Sequence, residues 1–143
     1  MRRLWPSVVS IATVITLLGC SGTTEPLGST NVDAARVHWL ALRPQAYTFE
    51  VQPSSSWFAP SGYYRIQVSA GQVISARNPD GEVVTDFALT IDGIWDQLLA
   101  ARASNELNSA RFDARGVPLE SDMGEWAVDG GRRYSVRNFA VSR

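Results

Sequence analysis

The sequence is 143 residues long, with 13 basic residues that are all Arg, 14 acidic residues, one His, one Cys and a formal net charge of −1. A chain with no basic excess gives no sign of the clustered basic face that nucleic-acid backbones require, so no nucleic-acid partner is expected. The length fits one domain, the single Cys excludes an internal disulfide, and the single His excludes a metal site built on several imidazoles.

Met1-Arg2-Arg3 places two positive charges ahead of an apolar stretch from Leu4 to Gly19, interrupted by Pro6, Ser7 and Ser10. This stretch is short of the roughly 20 residues that a spanning helix needs. A charged start, a short apolar middle and small residues at the end are the parts of an export signal. The segment ends Leu17-Leu18-Gly19-Cys20, the lipobox pattern of bacterial lipoproteins. Residues 1–19 are therefore expected to be a signal peptide, cleaved between Gly19 and Cys20. Cys20 is expected to carry diacylglycerol and an amide-linked acyl chain such as palmitate, and so to anchor the protein to a membrane. Each buried methylene adds about 0.8 kcal/mol to such an anchor. Ser21 stands where an Asp would signal inner-membrane retention, which favours the outer membrane, facing the periplasm, in a Gram-negative cell.

Residues 20–32 continue as small, polar chain broken by Pro26 and Gly28, a composition that cannot bury enough apolar area to fold and reads as a tether. The domain is expected over 33–143. Asp33 is the expected cap of a short helix running to about Arg43, with Val37, Leu40 and Ala41 on its apolar face and Pro44 as its stop. Tyr47, Phe49 and Val51 alternate with polar residues, as in a half-buried strand. Gln52–Gly62 reads as a loop by its Pro and Ser content.

Tyr64, Ile66 and Val68 repeat the alternation, and Ala70-Gly71 turns the chain into a strand over Gln72–Ala76. Asn78-Pro79-Asp80-Gly81 is a turn. Thr90 is the expected N-cap of the second helix, whose Ile91, Ile94, Trp95, Leu98 and Leu99 form one apolar stripe. Strands follow at about Leu107–Asp113, Val117–Asp122 and Arg133–Val141, with a Gly- and acid-rich loop over Met123–Gly131. In the last strand Tyr134 and Val136 share one phase and Phe139 and Val141 the other, which predicts a bulge near Asn138. The expected architecture is α+β in the order α-βββ-α-βββ, an antiparallel sheet of about six strands with two helices packed on one face. The two halves look loosely like one unit used twice, with Trp39 and Trp95 in corresponding helices.

Trp39 before Tyr47-Thr48-Phe49, Ile66 through Val73, Leu89 through Trp95, and Phe112-Asp113 leading to Gly116-Val117-Pro118 together resemble the bacterial lipoproteins grouped as domain of unknown function 6174. The resemblance implies a fold and an envelope location and no mechanism. Relatives often carry Cys-x-Cys in the loop after the first strand. Here Ser54–Pro60 has no thiol, so no redox or metal role follows for it.

Candidate chemistry is sparse. His38 has no Gly-x-Ser-x-Gly elbow to serve, and no glycine pattern for nucleotides appears. Asp113, Asp122, Glu125 and Asp129 could gather at one end of the sheet, as carboxylates for a hydrolase, but their spacing matches no calcium loop. No cofactor and no metal are expected. Trp57, Phe58 and Tyr63 form the candidate binding surface, since Trp and Tyr dominate binding hot spots. The expected activity is that of a non-enzymatic binding module for an envelope protein or cell-wall component. The alternatives are a small periplasmic hydrolase using the acidic residues or an inhibitor of a periplasmic enzyme.

Overall fold

A computed structural model describes residues 31–58, 61–127 and 130–142. Gly19, Cys20 and the tether up to residue 30 lie outside the described residues. Helix α1 (Val32–Leu42) leads into strands β1 (Ala46–Ser55), β2 (Tyr64–Ser69) and β3 (Gln72–Arg77). Helix α2 (Ile91–Ala103) then leads into β4 (Leu107–Phe112), β5 (Pro118–Met123) and β6 (Arg132–Val141). The strands form one sheet in the order β3-β2-β1-β6-β5-β4, with every pairing antiparallel. This is the α+β architecture that the alternating strand patterns predict. The two three-strand runs meet through β1 and β6, the first strand of one and the last of the other, so corresponding strands do not pair.

One face of the sheet is apolar because alternate residues of each strand point to the same side. Tyr47, Phe49 and Val51 of β1, Ile66 and Val68 of β2, Phe112 of β4 and Val136 of β6 are all buried there. Helix α2 covers this face with Ile91, Ile94, Trp95 and Leu98, each fully buried. Leu99, expected in the same stripe, stays exposed, and Ala101 is the buried residue one turn further on. The Thr90 hydroxyl caps the helix, accepting from the Gly93 N–H at 3.0 Å. Trp95 stacks on Phe112 with centroids 4.9 Å apart, and its Nε1–H donates to the Gly116 carbonyl at 3.1 Å.

Helix α1 departs from expectation in two ways. Its N-cap is Asn31, without a side-chain bond. Asp33 lies in the first turn and forms an ion pair with Arg102 across the helices. The buried face is Val32, Ala35 and Trp39, while Val37, Leu40 and Ala41 face outward, Val37 at 64% exposure. Trp39 reaches Tyr47 and Phe139 edge-on at 5.9 and 5.8 Å and donates from Nε1 to Asp92 Oδ1 of α2 at 3.0 Å. Asp92 also faces Arg43 at 3.6 Å and Arg36 at 3.8 Å, so one carboxylate ties the two helices together. Buried Tyr47 accepts from the Ile91 N–H at the start of α2, and burial pushes its phenol up to about 12.

Strand β1 is longer than its sequence suggests. Gln52–Ser55, expected as loop, pairs with β6 from Ser135 to Arg132. Beyond Val51 the strand has, among the described residues, a neighbour on that side alone, and a local edge of this kind tolerates Pro53. The Ala70-Gly71 turn has positive φ at both residues, 50° and 76°, as a two-residue hairpin turn requires. The bulge in β6 falls where expected: Arg137 pairs with Glu50 and Ala140 with Thr48, leaving Asn138 and Phe139 opposite Phe49, with Asn138 at φ 53°. Among the described residues no helix is long and apolar enough to cross a membrane.

Candidate functional site

The residues that alternate with the core project from the other face of the sheet, which no described element covers. That face is polar, and its register decides which side chains meet. Arg77 pairs with Arg65 across β3 and β2, Arg65 with Glu50 across β2 and β1, and Glu50 with Arg137 across β1 and β6. Four strands therefore present one transverse row, Arg77-Arg65-Glu50-Arg137, with three guanidinium groups to one carboxylate. Like charges placed directly opposite destabilise a strand pair, so the Arg65–Arg77 pairing works against the fold.

Glu50 is the hub of the row. It accepts from Arg137 Nε at 2.8 Å, from Asn138 Nδ2 at 3.0 Å and from Arg65 at 3.3 Å. Arg137 and Asn138 are consecutive, and in a regular strand their side chains would take opposite faces. The bulge at Asn138 brings both to the same carboxylate. Arg137 lies over the Tyr63 ring, 3.7 Å from its centroid, a cation–π contact. Arg77 donates to the Gly81 carbonyl at 2.8 Å, which fixes the Asn78–Gly81 turn beside it. Glu50, Tyr63, Arg65, Arg77, Gly81 and Arg137 line an open groove of about 600 Å³.

The opposite half of the face is balanced. Arg111 pairs with Glu120 at 2.9 Å, and Arg133 donates to Asp122 through Nε at 3.1 Å. Burial pushes the Asp122 carboxyl up, but hydrogen bonds from Trp126, Arg133 and Asn108 outweigh it and hold the group below its usual range. At Glu50 the Arg137 bond is the largest influence; it lowers the carboxyl against an opposing burial, with Asn138 and Arg65 adding to it. A carboxyl depressed in the folded state contributes stability above its unfolded pKa, near 4, and that contribution is lost as pH falls through and below this value. Urea midpoints should therefore drop on acidification from neutral pH, and the drop should be smaller in Glu50→Gln and Asp122→Asn. An unchanged acid profile in both variants would disprove this assignment.

The sequence candidates fall in different places. Trp57 and Phe58 ride on a turn at the end of β1, where Ser55 Oγ accepts from the Phe58 N–H at 3.1 Å and the Ser55 N–H donates to the Phe58 carbonyl at 2.6 Å. They are 79% and 53% exposed, and Phe58 borders a hollow on the helix side with Gln97 and Tyr134. Tyr63 is not beside them; it lies under Arg137 on the open face. His38 is exposed and donates from Nδ1 to the Ala114 carbonyl at 3.0 Å.

Asp113 and Asp122, two of the acidic residues that could have gathered, do not. Asp113 closes the β4–β5 turn, accepting from the Arg115 and Val117 N–H groups at 2.8 and 2.9 Å. Asp122 sits near the other end of that hairpin, opposite Ser109. Four residues of strand rise put them about 13 Å apart. Asp129 lies outside the described residues. Among the described residues no three metal-ligating side chains come together.

A family model described as a family of unknown function, DUF6174, matches residues 31–141. No curated protein and no solved structure matches the chain.

Proposed function

This chain belongs to the family of unknown function DUF6174, and from that premise we propose that it is a lipid-anchored lipoprotein of the bacterial cell envelope acting as a non-enzymatic binding module. The anchor is Cys20 of the Leu17-Leu18-Gly19-Cys20 lipobox, and the polar tether after it lets the domain reach a partner in the envelope. Ser21 directs it to the outer membrane of a Gram-negative cell.

The observation that carries the binding role is the turn that displays Trp57 and Phe58. Hydrogen bonds to Ser55 hold the backbone, while both large side chains stay in water. Adjacent exposed aromatics of this kind are among the side chains that dominate binding hot spots. The distance between Asp113 and Asp122 weighs against a hydrolase that uses both.

Two experiments test the proposal. Cys20→Ser should abolish fatty-acid labelling and release the protein from membranes; continued labelling would remove the anchor from the account. A Trp57→Ala, Phe58→Ala double variant should melt within a few degrees of the parent yet lose its crosslinked envelope partner. Hot-spot truncations cost about 2 kcal/mol or more each, so capture that survives both would show that the partner binds elsewhere.

A further inference from the structure

We propose that the groove across β3, β2, β1 and β6 is an oxyanion site, taking a phosphate or carboxylate group between Arg65, Arg77 and Arg137. The inference rests on the binding-module reading and adds a second, chemically defined site to it. Three observations converge on the groove.

The first is local charge. The chain as a whole has more acids than bases, and on the far half of the face Arg111 of β4 and Arg133 of β6 each have their own acid, Glu120 and Asp122. Along the row from β3 to β6, Arg65 and Arg137 share the Glu50 carboxylate, while Arg77 meets the Gly81 carbonyl and makes no ion pair among the described residues. The second is the cross-strand Arg65–Arg77 pair, an arrangement that opposes folding and that a bound anion would relieve. The third is preorganisation. Arg137 is fixed through its Nε on Glu50 and its stacking on Tyr63, and Arg77 through one terminal nitrogen on Gly81. Both still border the groove, and the planar guanidinium offers paired N–H groups that match an oxyanion. The groove volume, about 600 Å³, falls within the range of small-ligand pockets. Glu50 then sets the balance: it positions Arg137 and limits the net positive charge.

The test is calorimetric titration of the full-length protein in detergent with inorganic phosphate and, separately, with citrate. Binding is expected with a Kd of about a millimolar or below for at least one of them, weakening as salt rises. Which ligand binds tighter identifies the phosphate or the carboxylate as the preferred group. Arg77→Gln should weaken binding about tenfold, the loss of one charge-assisted contact. Glu50→Gln should tighten it at least about threefold, because it removes the carboxylate of the row while retaining an acceptor for Arg137. Arg111→Gln, outside the groove, should leave it unchanged, and melting curves confirm that each variant is folded. Absence of binding by both anions, or equal binding by the Arg77 and Arg111 variants, would overturn the proposal. If Trp57 and Phe58 still capture a partner in that case, the oxyanion site alone has failed and the binding module stands.

Discussion

Gly116→Ala is expected to cost about 4 kcal/mol or more. Gly116 is buried in the turn between β4 and β5 with φ at 78°, a conformation that opposes any side chain. The greater obstacle is the neighbour. A Cβ at this position would run into the Ala35 carbonyl oxygen and come within 2.7 Å of the Trp39 nitrogen. Both are backbone atoms of α1, so no rotamer change relieves the contact. The helix would have to lift from the turn, uncovering Trp39, or the turn would have to withdraw the carbonyl that accepts from Trp95. For a domain of this size each kcal/mol lowers Tm by about 4–8 °C. A measured loss under 1 kcal/mol would mean that α1 slides freely over the turn.

Trp39→Ala should cost about 3–5 kcal/mol, the range for removing a fully enclosed indole. Trp39 is fully buried, packs edge-on against Tyr47 and Phe139, and donates to Asp92. A Trp39→Phe variant separates packing from the hydrogen bond. Its cost should be nearer 1–2 kcal/mol, because Asp92 loses one donor but keeps Arg36 and Arg43 nearby. Denaturant unfolding of the three proteins checks the order. Equal costs for Phe and Ala would assign the stability to the bond to Asp92 rather than to the packed rings.

The elements that were legible in the sequence are those set by neighbours along the chain. The stripe of α2, its Thr90 cap, the Ala70-Gly71 turn and the Asn138 bulge each depend on residues within a turn or two. The face of α1 was not legible because its partner decides it. The turn at Gly116 presses on the backbone at Ala35 and Trp39, so this side of the helix faces the domain and Val37 and Leu40 face outward. Gln52–Ser55 resembled loop because Pro53 and the serines argue against a strand, and only the long β6, more than seventy positions later, recruits it. The groove was hidden for the same reason. Glu50, Arg65, Arg77 and Arg137 are ordinary outward residues of separate strands until the register aligns them. The sequence marked Tyr63 as a binding residue, but its partner Arg137 belongs to the other end of the chain.

Pairing of β1 with β6 at the centre of the sheet also constrains the order of folding. The β1–β2–β3 meander and the β4–β5 hairpin each join strands that are close in sequence, but the seam between the halves closes only after β6 is available. Closing so long a loop makes this step slow relative to the local hairpins. Until it occurs, β1 keeps an open edge and Phe49 and Val51 lack their final neighbours. The sheet thus stays incomplete until Arg132–Val141 arrive, and a truncation ahead of Arg132 would leave two half-sheets with no middle to join them.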